Sequence, residues 1–481
     1  MTKAFSALLA STLLTACAGA QFSDREIPPS GVGPFVEGAN EAFSAEAAPD
    51  QWWKLYNDAR LDGLIEQALR VNADLRAAEG NLRAVRATLD EGRIGSYLPT
   101  TTTTASATRG RAATNDIFGA AGEQPFVDTY RAGLDVSYEV DLFGRGRYGI
   151  SARKADRDGA AAARDVVRVS VAAETARAFA DACSYNAQLA VALRTVNLQL
   201  SSRDLTQKLF DAGRGNGLDI ARASAAYETA RAAAPAYAAA RDAALFRLAT
   251  LIGRAPAEAP QEAKDCDRPP QLSQPLPIGD GATMLARRPD VRQAERALKA
   301  AAQRVGVTTA DLFPTIRFGG DLGFVGADPD SLDENTARSF SYGPFLSWSF
   351  PNVLGTWARI QGASGRADSA LAAFDKTVLG ALQETETALS DYAGELEARN
   401  ALERASNQAG EAARLARLRF DAGSDSFLAL LDAQRTQAQA DAAFAASEAA
   451  TISKQITLFK ALGGGWQEAP PVERRGVYTR D

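Results

Sequence analysis

A four-residue sequence that ends a helical pattern occurs twice in this 481-residue chain. Phe-Asp-Ala-Gly stands at 210–213 and again at 420–423, 210 residues later, and Leu218 stands where Leu428 stands. Each copy ends one very long helical pattern, and another helical pattern starts within a few residues. A glycine favours a helix end, and a helix that restarts so soon must fold back as an antiparallel hairpin. The chain is therefore predicted to be a tandem duplication with one long helical hairpin in each repeat.

Long helices are predicted on both sides of these two turns. They are expected at 146–211 and 218–252 in the first repeat and at 356–421 and 427–462 in the second, with hairpin tips at 211–218 and 421–428. The first long helix contains no proline, and at about 1.5 Å per residue it spans roughly 100 Å. Pro235 is expected to kink the helix at 218–252. Apolar and small residues recur at four–three spacing, which is typical of coiled coils.

Between the long helices, each repeat carries segments in which every second residue is apolar or small. The pattern is clear at 130–142, 316–324 and 340–350 and weaker in the Thr-rich stretch at 97–108. This alternation predicts strands with one apolar and one polar face, in hairpins at about 97–142 and 313–350. Phe345 is an exception, because it places a large apolar side chain on the polar face. These strands exceed the usual length in soluble sheets and match a tilted crossing of a bilayer.

A soluble β-sandwich also has alternating strands, but these hairpins are inserts between long helices and are too few for a core of their own. Four strands cannot close a membrane barrel, since about eight are needed and an open edge is not tolerated in lipid. The barrel must therefore be shared between chains. Two chains would give eight strands with the interior filled by side chains, and three would give twelve strands with an open lumen. A conduit needs an open lumen, so three chains are favoured. The predicted fold class is an α+β membrane protein, with a coiled-coil tunnel of long α-helical hairpins and four β-strands per chain in a shared twelve-stranded trimeric β-barrel.

Acidic residues lie on the polar face of the predicted strands. They are Asp135, Glu139, Asp141 and Asp321. In a barrel with its apolar face toward lipid, these four side chains would face the lumen. Two roles are open for them: they could favour the passage of cations, or they could only keep the lumen hydrated.

The composition excludes several function classes. The chain has no histidine, which removes histidine-based acid–base catalysis, histidine-activated nucleophiles and most zinc sites. Its net charge of −6 offers no basic surface to a nucleic acid. No motif gathers carboxylates, so we expect neither an enzymatic activity nor a cofactor.

Residues 1–16 are predicted to be a lipoprotein signal peptide. Lys3 precedes an apolar run that is too short to span a bilayer, and small residues at 15–16 precede Cys17. This ending resembles the bacterial lipobox, so Cys17 is the expected site of a covalent lipid; a plain signal peptide with an incidental cysteine is the alternative. The Pro/Gly-rich residues 17–50 are predicted to be a lipidated tether.

The other two cysteines are predicted to stay unpaired, although exported proteins often form disulfides. Cys183 lies on a seam of small residues in the first long helix and is expected to act as a small buried apolar group. Cys266 lies in a proline-rich connector and has no comparable pattern around it.

The predicted domain order is two repeats joined by a connector. The first repeat covers 51–253, the connector 254–277 and the second repeat 278–462. Short amphipathic helices are expected near the start of the first repeat, around 61–69 and from 73 to about 93. Residues 463–481, with a glycine run and two adjacent prolines, are expected to form a flexible tail.

Several short motifs, in this order and partly in two copies, resemble those of the TolC-like outer-membrane factors, specifically the NodT-type lipoproteins of RND efflux systems. They are the lipobox at Cys17, Asp74-Leu75-Arg76 with Arg288-Pro289-Asp290-Val291-Arg292, Leu98-Pro99-Thr100 with Phe313-Pro314-Thr315, Asp141-Leu142-Phe143-Gly144-Arg145, and the two Phe-Asp-Ala-Gly turns. The resemblance covers roughly residues 50–465. It implies a homotrimer with a twelve-stranded barrel in the lipid of the outer membrane and a helical tunnel across the periplasm. It also implies a periplasmic adaptor protein and an inner-membrane RND pump as partners.

The resemblance further implies a periplasmic gate at the second hairpin tip. Leu428 would form a threefold apolar ring at the inner end of the tunnel, and Asp432 and Arg435 would form polar links between the tips. Alternatively, Asp432 and Arg435 are an ordinary surface pair on one helix face, and Leu428 belongs to the core. Leu218 is the counterpart of Leu428 in the first hairpin, but Arg222 stands where Asp432 stands, so the two tips are expected to gate differently.

The function that follows is the exit duct of a tripartite efflux system, which passes small molecules such as drugs or toxic compounds across the outer membrane. An exit duct for protein secretion is an alternative within the same class. A lipid-anchored periplasmic coiled-coil scaffold is the alternative from another class, although it would have no use for the alternating hairpins.

Overall fold

The computed structural model describes residues 33–111, 126–272, 274–349 and 353–473. The chain forms two compact units. Counting only the described residues, the sheet unit is formed by those within Leu82–Ala160 and Ala294–Phe374, and the hairpin unit by those within Glu26–Asn81, Ala161–Gln293 and Asp375–Asp481. Each unit takes segments from both sequence repeats. The repeats therefore interleave and are not separate compact domains.

Most of the described residues are helical. The helices are α1 (Ala59–Val71), α2 (Ala73–Tyr97), α3 (Arg145–Asp211), α4 (Gly217–Leu251), α5 (Gln261–Lys264), α6 (Gly281–Arg287), α7 (Pro289–Ala310), α8 (Val353–Asp421) and α9 (Phe427–Ala461). The bounds predicted for α3, α4, α8 and α9 differ from these by at most three residues. Pro235 lies inside α4, and the kink expected there stays a prediction. Across the described part of the chain, every helix is too short or too polar to cross a bilayer.

The strands are β1 (Phe43–Ser44), β2 (Thr100–Gly110), β3 (Val127–Val140), β4 (Leu276–Pro277), β5 (Thr315–Gly326) and β6 (Arg338–Ser347). The four long strands form one antiparallel sheet in the order β2-β3-β5-β6, which confirms the predicted strands. The register pairs Leu134 with Leu322 and Asp135 with Asp321. Since side chains alternate along a strand, this register gathers the apolar residues on one face and the polar residues on the other. The predicted strand end at Phe350 lies outside the described residues.

The motif at 141–145 is the start of α3. The Asp141 carboxylate accepts hydrogen bonds from the N–H groups of Gly146 (3.1 Å) and Arg147 (2.9 Å), which caps free donors of the first helical turn. Gly144 has a φ of +83°, a conformation that glycine adopts without strain. Phe143 stacks on Phe313 with ring centroids 4.6 Å apart. The motif thus turns the chain from β3 into a long helix.

Both helical hairpins turn by the same local geometry. Gly213 and Gly423 have φ values of +68° and +73°, and each ends its helix in the left-handed conformation. Asn216 caps the start of α4, and Ser426 caps the start of α9. The repeated Phe-Asp-Ala-Gly sequence therefore ends a helix at both sites, as predicted.

Trp52 lies in the core of the hairpin unit. Its ring stacks on Phe459 with centroids 4.9 Å apart. The predicted amphipathic helix is α1, and the five residues predicted for its apolar face are its buried residues: Leu61, Leu64, Ile65, Ala68 and Leu69. Burying a leucine or isoleucine side chain stabilises a fold by about 1.5–3 kcal/mol. The N-terminal helix is thereby held in the hairpin unit.

Arg288 explains the Arg-Pro-Asp motif of the second repeat. This buried guanidinium donates to the carboxylates of Asp290 and Glu384 and to the carbonyl of Ala461, each at 2.7 Å. Burial lowers the pKa of Arg288, but hydrogen bonds and charge attraction from Asp290 and Glu384 outweigh it and raise the pKa overall. The charged form is therefore the one that joins α7, α8 and the end of α9.

The prediction of a tether over 17–50 is wrong for its described part, from residue 33 onward. Phe43 is buried and lies 5.9 Å from the ring of Tyr392. Phe43–Ser44 also pairs in parallel with Leu276–Pro277 of the connector. A single aromatic anchor and a short strand thus fix a segment whose composition is typical of a loop.

The prediction of a flexible tail over 463–481 is wrong for residues 463–473. The Trp466 indole donates to the carbonyl of Arg287 at 3.0 Å and lies 5.2 Å from the Arg292 guanidinium. The N–H of Glu473 donates to the carbonyl of Arg70 at 2.8 Å. Residues 474–481 of the predicted tail lie outside the described residues.

The prediction of unpaired cysteines is also wrong, because Cys183 and Cys266 form a disulfide with their Cα atoms 4.9 Å apart. Asn186 explains how the connector reaches the helix. One turn after Cys183, its side-chain amide donates to the carbonyls of Lys264 and Cys266, both at 3.0 Å. The seam position of Cys183 was correctly predicted to be buried, but the same position faces the connector.

Candidate functional site

The first turns of α9 present two different faces. Phe427, Leu430 and Gln434 are buried, whereas Leu428, Asp432 and Arg435 are exposed. At about 100° per residue, these two sets lie roughly 130° apart around the helix. The predicted gate residues therefore share one solvent-facing surface, here called the outer stripe. This placement excludes a core role for Leu428 within the chain, since 44% of its surface is exposed.

The buried face holds the second hairpin tip together. Phe427 meets Phe420 across the turn, with ring centroids 6.0 Å apart. Gln434 accepts a hydrogen bond of 2.9 Å from the Ser202 hydroxyl of α3, and both groups are buried. This pair was not predicted from the sequence. The signal was available, because Gln434 continues the apolar spacing of Phe427 and Leu430 at a position where a polar side chain needs a partner.

Asp432 and Arg435 do not form an ion pair with each other, so the ordinary surface pair does not occur in this chain. Within the described residues, neither side chain forms any ion pair. The backbone carbonyl of Asp432 accepts a hydrogen bond from the Thr436 hydroxyl as part of the helix. Both charged groups are thus available to a partner outside the chain.

The first hairpin tip differs in its charges. Leu218 is 58% exposed, like its counterpart Leu428. The Asp219 carboxylate accepts from the Asn216 amide at 2.8 Å, and it lies 4.0 Å from the Arg222 guanidinium. The charges next to Leu218 are thus balanced inside the chain, in contrast to those of the outer stripe.

Two of the four predicted lumen carboxylates face each other on the polar side of the sheet. Asp135 and Asp321 occupy directly opposite positions of β3 and β5, and both are exposed. Asp321 also accepts a hydrogen bond from the Ser341 hydroxyl on β6. Like charges at opposite positions repel, so this pair is costly unless solvent or a cation lies between them.

The other two predicted lumen carboxylates have structural partners. Glu139 pairs with Arg317 on the neighbouring strand at 3.0 Å and lies 3.9 Å from Arg145. Asp141 caps α3. The sequence pattern placed all four on the polar face but did not separate the two carboxylates that face each other from the one that pairs with an arginine and the one that caps a helix. Cys17, the predicted lipidation site, lies outside the described residues.

The chain matches a family model described as outer membrane efflux protein, over residues 64–254 and 282–464. Each segment covers most of one of the two repeats. The toluene efflux pump outer membrane protein TtgC of Pseudomonas putida is 30% identical over 434 residues, which cover 89% of this chain and 88% of that protein. Nodulation protein T of Rhizobium leguminosarum bv. trifolii is 26% identical over 97% of this chain and 98% of that protein.

Solved structures give the same result. The outer-membrane channel OprN superimposes with a TM-score of 0.84 at 36% identity, over 92% of this chain and 99% of that one. The TolC-like resemblance is thereby confirmed. The predicted location and function are confirmed with it: the chain is an outer-membrane exit duct for efflux. At the level of the family, this is a transport function and not an enzymatic one. The chain belongs to the outer membrane efflux protein family.

Proposed function

We propose that three copies of this chain form one channel, whose three sheets close a twelve-stranded barrel in the outer membrane. The open sheet carries this proposal: within the described residues, β2 and β6 each pair with one neighbour only. The apolar face is also exposed, with Phe340 at 73% and Tyr342 at 83%. An unpaired backbone group in lipid costs several kcal/mol, so β6 of one chain pairs with β2 of the next. Three sheets then leave an open lumen.

The trimer acts as the exit duct of a tripartite efflux system, with a periplasmic adaptor and an inner-membrane RND pump as partners. Its cargo is small molecules such as drugs and toxic compounds. The names of the relatives support this choice over protein secretion, since they concern efflux pumps, one of them for toluene. The family assignment also favours the duct over a periplasmic scaffold.

The inner end of this duct is closed at the second hairpin tip. Three copies of the outer stripe would meet around the threefold axis, with Leu428 as an apolar ring and Asp432 and Arg435 as links between chains. The exposure of all three side chains and the absence of a pair between Asp432 and Arg435 support this role. Leu218 contributes an apolar side chain at the first tip, where Asp219 and Arg222 already pair within the chain. A lipid on Cys17 anchors the mature N-terminus to the membrane.

Native mass measurement of the purified protein in a mild detergent tests the shared barrel. We expect three chains per particle. The control is the same measurement under reducing conditions, which removes any oligomer that is held only by disulfides between chains. A monomer or dimer in both conditions would refute the twelve-stranded barrel.

A further inference from the structure

A cavity of about 760 Å³ lies within the sheet unit. Its walls come from α2, the end of β3, the start of α3, α7 and α8. This volume is large enough for a drug-sized molecule. The cavity is distinct from the hairpin tip and from the Asp135–Asp321 pair, because none of the residues discussed at those sites lines it.

The charges of this cavity are unequally matched. Its carboxylates belong to Glu139, Asp141 and Asp156, and all three have partners in the chain. Glu139 pairs with Arg317 and Asp141 caps α3, as described above. Asp156 accepts from the Arg304 guanidinium at 2.6 Å. No carboxylate of the cavity is therefore left to balance a further positive charge.

Two arginines that line the cavity have no charged partner among the described residues. Arg153 on α3 and Arg366 on α8 both line it. Within the described residues, neither guanidinium has a hydrogen bond or an ion pair. A concave surface with unbalanced charge of one sign concentrates the field and attracts the opposite charge. Two guanidinium groups on different helices suit an oxyanion, because each can donate two parallel hydrogen bonds.

The position of Arg153 depends on a glycine. A methyl group at Gly92 of α2 would lie 2.6 Å from the Arg153 Cδ atom, which is closer than two carbon atoms can approach. Gly149 also lies beside this side chain, at 3.6 Å from the Arg153 Nη1 atom. The Arg153 stem therefore occupies space that only glycine leaves open. Arg153 is exposed, so its guanidinium can be reached from solvent where it lines the cavity.

We propose that this cavity is a binding site for small solutes that carry a carboxylate or phosphate group, with Arg153 and Arg366 as the two ligand-binding residues. That such solutes are export cargo rests on the proposed function. Binding itself does not, so it can be tested on purified protein without transport. A phosphate could come from a soluble molecule or from a lipid headgroup, and we assign the soluble one because the cavity is lined by both charged and small residues and includes three engaged carboxylates.

Calorimetric titration of the full-length protein in a neutral detergent provides the test, with phthalate and inorganic phosphate as probes and the neutral dimethyl ester of phthalate as the uncharged control. We expect both anions to bind and the ester not to bind. Arg153→Gln and Arg366→Gln should each weaken anion binding roughly tenfold, the usual effect of losing hydrogen bonds to a charged group. Arg404→Gln, which removes one exposed arginine of α8 outside the cavity, should leave binding unchanged.

Gly92→Ala separates geometry from charge. It keeps every arginine but displaces the Arg153 stem, so anion binding should weaken while the circular dichroism spectrum stays the same. Equal losses in Arg153→Gln, Arg366→Gln and Arg404→Gln would show general charge attraction and overturn the site. Binding of anionic lipid micelles without binding of either soluble anion would overturn the assignment to soluble solutes.

Discussion

Ser202 on α3 donates a buried hydrogen bond of 2.9 Å to the side-chain oxygen of Gln434 on α9. Ser202 belongs to the first repeat and Gln434 to the second. The bond thus ties the helix that carries the outer stripe to the other hairpin. Because a buried polar pair is satisfied in only one arrangement, it fixes the register of α9 against α3.

We expect Ser202→Ala to destabilise the protein by about 1–3 kcal/mol per chain, since it leaves the buried Gln434 oxygen without a donor. The double variant Ser202→Ala/Gln434→Met replaces both partners by apolar groups and should recover most of this loss. Thermal unfolding followed by circular dichroism in detergent measures both. A double variant that is less stable than Ser202→Ala would show that the hydrogen bond is not the source of the effect.

The disulfide between Cys183 and Cys266 joins positions that are 83 residues apart in sequence. Closing a loop of this length typically stabilises a protein by about 2–4 kcal/mol. A reducing agent should therefore lower the unfolding temperature of the wild type but not that of Cys183→Ser/Cys266→Ser. Two titratable thiols in the oxidised, unfolded protein at these positions would contradict the pairing.

Arg288→Ala should destabilise the hairpin unit by about 1–3 kcal/mol. This is below the usual cost of breaking a fully buried pair, because the Asp290 and Glu384 carboxylates stay partly hydrated. Arg296→Ala, on α7, which begins directly after Arg288, is the matched control, since its partner Glu295 is 3.9 Å away and both are partly exposed. Chemical unfolding should show a change of less than about 0.5 kcal/mol for this control. Equal effects of the two substitutions would refute a special role for Arg288.

The lipobox predicts that the mature protein begins at an acylated Cys17. Mass spectrometry of the mature N-terminal peptide should show a mass increase from acyl chains on this cysteine. Cys17→Ser should remove the lipid and leave the oligomer intact, because the sheets and not the lipid pair the chains. An unmodified mature N-terminus at another residue would contradict the prediction.

The regular elements could be predicted from sequence because they rest on periodic patterns and on end signals. Gly213 and Gly423 end α3 and α8 as expected, and the strands follow their alternation. The division into compact units could not be predicted, because helices this long let residues of both repeats pack together. The order of the tail could not be predicted from its composition either. Its glycine run is typical of a flexible segment, but the hydrogen bond of the Trp466 indole fixes it to the carbonyl of Arg287.

The candidate site was predicted only in part. Helical spacing placed Asp432 and Arg435 on one helix face, and the structure shows that Leu428 shares that exposed surface. Their role as a gate stays a prediction, since it depends on contacts between chains. Contacts between residues far apart in sequence could not be predicted, such as those of Glu139 with Arg317 and of Cys183 with Cys266. No local pattern encodes them.

In the proposed channel, the outer stripe closes the inner end of a trimeric duct. An exposed ion pair contributes about 0–1 kcal/mol, so three copies would hold the tips with up to about 3 kcal/mol. Such a weak closure suits a gate that a partner protein opens. Rising salt should loosen it, and wild-type conductance should then increase more steeply than that of the bulk solution.

Single-channel recording in planar bilayers is the most direct measurement. Leu428→Ala removes the apolar ring and Asp432→Ala removes the links, and each should raise the conductance above that of the wild type. Leu193→Ala, which truncates an exposed leucine of α3 away from the tip, should conduct like the wild type. If Leu428→Ala and Asp432→Ala also conduct like the wild type, the outer stripe is not the constriction and the assignment of the gate is wrong.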